Sequence, residues 1–414
     1  MKKSVFSVAL LLAAVTSLPS AEAAFVIGGE NGWQLSTDGI VDVFATYQSG
    51  SKKPTGNRFL SFLNNGSNGT YENFGVSVGL LPSVVAFNVK APTVNGVDST
   101  VRVGIYPSIQ NSGGQSNRFD VNPNTDFREF FYTAKGKFGE ILAGRALNLY
   151  QGKNILTDMT LLTAGVVPTP GTSTTLGHIG YGYLYTNFGP QLRYTTPDLG
   201  GVKIAFSIAE PYKIDQFTAK TNIPRFETEI SFAKASGDTS LQAWASGLYQ
   251  GATRSSTAAA RPGEDNHSLG GAAGVQTSIG KVGLLASGYV GEGLGMISVQ
   301  DAANQGAWGS SAVDAAGKER TQYGFLTQVS YNLIPEVKVG LNYGQTCQVK
   351  SDYDKAHSTG YVPMEKQEAA SVMVAYNFNK FTQFVVDYSY AQNTWMDKAS
   401  QHSNSIAVGT MFYW

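Results

Sequence analysis

The chain closes with Ser405-Ile406-Ala407-Val408-Gly409-Thr410-Met411-Phe412-Tyr413-Trp414. Ile406, Val408, Thr410, Phe412 and Trp414 occupy alternate positions, and a period of two places them on one face of a β-strand. That face is apolar and tipped with aromatic rings. Upstream the same pattern recurs: roughly ten to fourteen alternating residues, a tight turn, a second such segment, then a long polar stretch. This rhythm predicts an all-β chain folded as a transmembrane antiparallel β-barrel.

The segments that read as strands run Trp33 to Ser49, Tyr71 to Lys90, Thr100 to Ile109, Phe127 to Gly136 and Gly139 to Leu149. They continue as Phe188 to Pro197, Val202 to Ala209, Pro224 to Ala235, Ser240 to Gly251 and Ser268 to Ile279. The last six are Val282 to Gly293, Thr321 to Leu333, Val337 to Val349, Gln367 to Phe378, Thr382 to Thr394 and Asn404 to Trp414. The total is about sixteen, an even number, as a closed antiparallel barrel with both ends on one side requires. Every second connection is short, as at Lys137-Phe138, Gly237-Asp238 and Gly280-Lys281, and the others are long and polar. Leu81-Pro82-Ser83 interrupts the second segment, and because proline donates no ladder hydrogen bond the expectation there is a bulge.

Lys2 and Lys3 precede an apolar run from Val5 to Leu18 and an Ala21-Glu22-Ala23 site, the pattern of a secretory signal removed after residue 23. About fourteen apolar residues are too few to span a bilayer as a helix. Residues 24–414 are then one barrel domain in the outer membrane. Without Lys2, Lys3 and Glu22, the 30 basic and 30 acidic residues fall to 28 and 29, which gives no surface for a polyanion, so no nucleic-acid partner is expected. Charged residues make up only 14 % of the chain, beside 47 glycines, 21 tyrosines and 22 phenylalanines, which suits an outside that meets lipid. The single cysteine, Cys347, can form no internal disulfide, and no spacing indicates a metal site or other cofactor.

Parity divides the side chains. Val101 and Val103 face lipid and Arg102 the lumen; Leu192 and Tyr194 face lipid and Arg193 the lumen; Val202, Ile204 and Phe206 face lipid and Lys203 the lumen. The same rule turns Glu227, Glu229, Lys338, Asp42, Glu129 and Asp387 inward. A charge on the lipid side near the midplane costs about 2–4 kcal/mol, so this sorting is a condition of the fold. A soluble β-sandwich, with its polar face outward, is the competing architecture. Tyr331, Tyr343, Tyr376, Phe378, Tyr388, Tyr390, Phe412 and Trp414 lie near strand ends on the outward parity, where amphipathic rings prefer the bilayer interface.

Between Tyr150 and Thr186 the alternation stops, and Ile155 to Leu162 carries apolar residues at helical spacing. A loop of this length in so regular an array is usually functional, and its apolar residues need a wall to bury against. It therefore reads as a segment, about residues 150–187, folded inward to narrow the pore, with Lys153 and Asp158 as its charges. An extracellular loop packed on itself or on a neighbouring subunit is the other reading.

Phe138-Gly139-Glu140-Ile141-Leu142-Ala143-Gly144-Arg145, leading into this segment, resembles the strand that precedes the constriction loop in Gram-negative general porins. Arg193-Tyr194-Thr195-Thr196-Pro197-Asp198-Leu199-Gly200-Gly201 is similar to the following hairpin of the same family, and Trp414 to its aromatic terminus, although phenylalanine is usual there. The resemblance implies a sixteen-stranded homotrimer in outer-membrane lipid, with small hydrophilic solutes and ions as its cargo and the loop opposed to basic wall residues. It also nominates Arg145, which matches the family's Gly-Arg, while its parity with Ile141 and Ala143 points it outward. The segment lacks the family's Pro-Glu-Phe-Gly-Gly element.

Catalysis has no foothold in the pattern. His178, His267, His357 and His402 fall in expected loops as solvated residues, without a serine in a nucleophile elbow. The function expected is passive diffusion through a water-filled pore. A substrate-selective channel with Trp244 on the solute's path, and a sheath around an electron-transfer or secretion partner, stay open as alternatives.

Overall fold

The computed structural model describes residues 25–59, 61–63, 70–109, 125–168, 174–298, 310–357 and 362–414. The proposed leader, residues 1–23, lies outside them. Strands β1 (Phe25–Gly28), β2 (Gln34–Gly50), β3 (Tyr71–Ser77), β4 (Val84–Lys90), β5 (Asp98–Pro107), β6 (Thr125–Gly136) and β7 (Gly139–Leu147) come first. Helix α1 (Gly152–Thr157) and a 3-10 turn (Met159–Leu162) follow, then β8 (Phe188–Thr195), β9 (Val202–Ala209), β10 (Thr218–Lys220), β11 (Arg225–Ser236) and β12 (Thr239–Arg254). The remainder is β13 (Asp265–Ile279), β14 (Val282–Glu292), β15 (Thr321–Ile334), β16 (Val337–Gln348), helix α2 (Asp352–Ala356), β17 (Met364–Asn377), β18 (Thr382–Trp395) and β19 (Ser400–Tyr413).

Each long strand pairs antiparallel with its sequence neighbours, and β19 returns to β2, with Ile406 opposite Tyr47, so the sheet closes on itself. β3 and β4 both pair with β2 and share one place in the wall, and short β1 and β10 add none, which leaves a closed barrel of 16 strands. The terminal residue completes the seam: Trp414 N donates to the Gly39 carbonyl and Gly39 N to that of Trp414, each at 3.2 Å. Closure leaves no unpaired edge, the condition for putting sheet backbone into hydrocarbon.

The alternation does its sorting as parity requires. On β18, Phe384, Val386 and Tyr388 are exposed while Gln383, Val385, Asp387 and Ser389 are buried. Tyr331, Tyr343, Tyr376, Phe378 and Phe412 also stand exposed on the outside, and Tyr343 and Tyr388 donate to Glu368 and Asn404 beside them.

The interruption at Pro82 is larger than a bulge. Phe44 opposes Ser77 and Ile40 opposes Val84, so the three β2 residues between them face the six residues 78–83. The surplus chain leaves the wall, and Asp42 ties it at both ends by accepting from Gly79 N at 2.5 Å and Ser83 Oγ at 2.8 Å. Two further expectations are corrected. His267 and His402 sit on β13 and β19 and not in loops, and His178 is fully buried, its ring between the Tyr181 carbonyl and Ser371 Oγ, both at 3.1 Å.

Candidate channel lining

Between β7 and β8, residues 148–168 and 174–187 touch inward-parity side chains most of the way around the barrel. Leu149 N and Tyr150 N donate to Glu227 Oε2 on β11 at 2.7 and 3.3 Å, and Gln151 N to Ser246 Oγ on β12 at 3.2 Å. Gln328 of β15 holds both sides of one turn, donating to the Thr157 carbonyl at 2.8 Å and accepting from Met159 N at 3.0 Å. Ala164 N donates to Asp387 Oδ2 on β18 at 2.8 Å, and Gln48 Nε2 of β2 to the Val167 carbonyl at 2.5 Å. On the way back His178 meets β17, and Gly182 N donates to Thr346 Oγ1 on β16 at 3.2 Å. Gln151 then clips the two limbs of the segment together through Leu184 N, at 2.7 Å.

The excursion at 78–83 is a partner in this arrangement. Leu80 N donates to the Thr163 carbonyl and Leu81 N to that of Leu161, each at 3.1 Å, in a short backbone ladder off the wall. Gly79 permits the approach, since a Cβ there would stand 2.6 Å from the Thr163 carbonyl oxygen. Helical spacing in the sequence corresponds to α1 and the 3-10 turn, and Ile155 and Leu161 pack with Leu80, Trp244, Leu285 and Leu326. Trp244, which the selective-channel reading put on the solute's path, is buried and donates through Nε1 to Asn154 Oδ1 at 3.0 Å, so it offers no open aromatic surface.

The charged residues nominated from sequence fall into distinct settings. Asp158 is turned into its own segment, accepting from Thr160 N at 2.9 Å, Thr160 Oγ1 at 2.6 Å and Tyr183 OH at 2.7 Å. Burial, and then the Asp158 carboxylate, hold the Tyr183 hydroxyl protonated well above the usual phenol range. Asp42 and Asp387 are buried and occupied by backbone donors, and Glu227 also pairs with Arg225. These four acids are anchors, not free charges in an open lumen. Arg102 stands inward but bridges Glu129 at 2.8 Å and Asp38 at 2.9 Å. Arg145 is corrected: it stands on the outer side of β7, exposed, and donates to the Phe188 carbonyl at 2.7 Å.

Lys153 on α1, Arg193 on β8, Lys203 on β9 and Lys338 on β16 are partly buried at inward or segment positions. Arg193 donates to Gln191 and to the Leu147 carbonyl, and among the described residues it makes no direct contact with a carboxylate. Glu229, opposite Ala205 on β9, lies within electrostatic reach of both Lys153 and Arg193. The neutral anchors Gln48, Gln328 and Ser371 were not nominated, although their inward parity on Gln- and Ser-bearing strands is visible in the sequence. Arg225-x-Glu227 was a further signal, because residues two apart on a strand share a face.

A family model described as Gram-negative porin matches residues 8–396. No curated protein sequence matches the chain. Among solved structures it is similar to the outer membrane channel DcaP of Acinetobacter baumannii, with 16 % identity, TM-score 0.67, and 94 % of this chain and 100 % of that one covered. An anion-selective porin from Comamonas acidovorans aligns at 14 % identity and TM-score 0.61, covering 92 % of this chain and 100 % of the other. OmpT of Vibrio cholerae, in a trimer form, aligns at 12 % identity and TM-score 0.52, over 93 % and 100 % of the two chains.

Proposed function

Because the chain belongs to the Gram-negative porin family and forms an outer-membrane channel for passive diffusion, we propose that residues 150–187 set the size limit of that channel. The observation that carries this reading is the series of hydrogen bonds from the segment to inward side chains of β2, β11, β12 and β15 to β18. A segment held on so many strands has few ways to move aside, and solutes pass beside it. Lys153, Arg193 and Lys203, set against Glu229, supply the transverse field that sorts ions, with Lys338 and the neutralised Arg102 as weaker contributors. Asp42, Asp158, Glu227 and Asp387 act through position, by holding the segment and its dock. Export through the leader at residues 1–23 and assembly as a homotrimer complete the proposal; the trimer form of the Vibrio cholerae OmpT supports the latter.

Deleting residues 154–164 removes the apolar turns and the contacts to Gln328, Leu80 and Asp387. Single-channel conductance in a planar bilayer should rise. A correctly folded deletion with unchanged conductance would place the constriction elsewhere.

A further inference from the structure

The strand pattern misreports the direction of Arg128. On β6, Glu129 faces the lumen, so strict alternation would send Arg128 into lipid. The ladder to β5 slips here: Gly104 opposes Glu129, Tyr106 opposes Asp126, and Phe127 and Arg128 together oppose Ile105. This β-bulge exposes Phe127 outside and turns Arg128 inward, the re-aiming that bulges perform.

Inside, the guanidinium lies against two neighbouring rings, 4.9 Å from the centroid of Tyr106 and 5.7 Å from that of Phe188, which are themselves 6.3 Å apart. Its Nε donates to Asp126 Oδ2 at 2.9 Å. Tyr106 is itself fixed from below, its hydroxyl donating to Glu129 at 2.6 Å. The Nε bond fixes one edge of the fork, and the Nη nitrogens have no hydrogen-bond or ion-pair partner among the described residues. A cavity of about 180 Å³ is lined by Arg128, Tyr106 and Asp126, by the hydroxyl-bearing Ser108 and Thr174, and by Val78, Pro82 and Pro107. It lies where β5 and β6 enter a long loop, on the external side of an outer-membrane barrel.

We propose that this pocket is a binding site at the external mouth of the channel for a small zwitterion of the α-amino acid class. A planar guanidinium fork pairs bidentately with a carboxylate. Asp126 is more than half exposed and supplies the opposite charge within the same pocket, matching an ammonium group. A simple anion would gain the first contact and be repelled by the second. The volume falls below the range of roughly 300–1,000 Å³ typical of drug-sized ligands, which limits the solute to a few heavy atoms, and a wall that mixes Val78, Pro82 and Pro107 with Ser108 and Thr174 suits a short side chain. The assignment rests on the chain being an open channel and on the placement of residues 150–187, whose Thr174, with Val78 and Pro82 of the dock, forms part of the wall.

The test is uptake of labelled L-alanine into proteoliposomes carrying the mature channel, with glycerol as an uncharged reference and propionate as competitor. Alanine uptake should saturate while glycerol uptake stays linear. Arg128→Gln should abolish saturation and slow uptake at low alanine concentration about tenfold, as loss of a charge-assisted pair implies, with glycerol unchanged. Asp126→Asn should weaken alanine uptake, and propionate should compete poorly. If Arg128→Gln does not assemble, Arg128→Lys, which keeps the charge and loses the fork, should raise the half-saturating concentration. Saturation unaltered in the Arg128 variants, or equal slowing of alanine and glycerol, would overturn the site. Strong competition by propionate together with an inert Asp126→Asn would overturn the zwitterion. Linear alanine uptake in vesicles that pass glycerol would refute the pocket alone, whereas vesicles closed to glycerol would refute the channel beneath it.

Discussion

Asp158 shows how a residue of the right type in the right segment can have a different task. Its carboxylate is filled by Thr160 and Tyr183, so the charges left to act on ions are those without a direct acidic partner, Arg193 foremost. Arg193→Glu should shift the reversal potential in a salt gradient toward cation preference, while Lys234→Glu, exposed on the outward parity of β11, should shift it little. Equal effects from both would contradict the inward assignment. Tyr183 sets a second expectation. Its folded-state pKa is raised, so the stability from its neutral hydroxyl is fully present below the unfolded value of about 10 and is lost only as pH climbs through the higher folded value. Between about pH 9 and 11 wild type and Tyr183→Phe should therefore show the same phenolate absorbance change. A titrating phenol missing from the variant would place Tyr183 in solvent. Asp158 with Thr160 was legible as a local cap. Tyr183 was not, because its hydroxyl arrives from the returning limb of the loop.

At the scale of elements, the decisive feature is the dock at residues 78–83. Proline at 82 announces a break in the ladder, since it cannot donate, and the sequence shows that much. The break becomes useful because its freed amide groups at Leu80 and Leu81 meet the carbonyls of Thr163 and Leu161, a pairing between segments some eighty residues apart. Gly79→Ala brings a methyl group against the Thr163 carbonyl and Phe44, both backbone and ring being hard to displace. The variant should lose about 1–3 kcal/mol of stability to urea in lipid vesicles through overpacking, and its single-channel record should show added conductance steps as the segment loosens. A quiet record at wild-type conductance would mean that the wall bonds alone hold the segment. The β6 bulge is the opposite case. Strict alternation from Glu129 would set Asp126 and Arg128 in lipid, so the stretch carries a conflict, but only pairing with β5 shows that a slip beside Ile105 resolves it.

For the whole molecule, closure by β19 on β2 and a continuous apolar outside predict a chain that needs detergent or lipid. Purified from membranes it should give almost pure β spectra, migrate as a detergent-resistant oligomer, and shift mobility on heating; a monomer soluble without detergent would contradict the barrel. The architecture was readable in advance because lipid acts on every strand separately. Each must present an apolar residue at every second position, so the alternation at Ile406, Val408, Thr410 and Phe412 recurs along the chain and period, strand number and turn asymmetry follow from local residues alone. Lumen chemistry obeys no such local rule. Whether Asp158, Asp42 and Asp387 face water or fasten a loop, whether Arg102 is free or bridged, and whether Arg128 points in or out depend on which distant donors and acceptors the closed barrel brings within about 3 Å, and only the tertiary structure decides that.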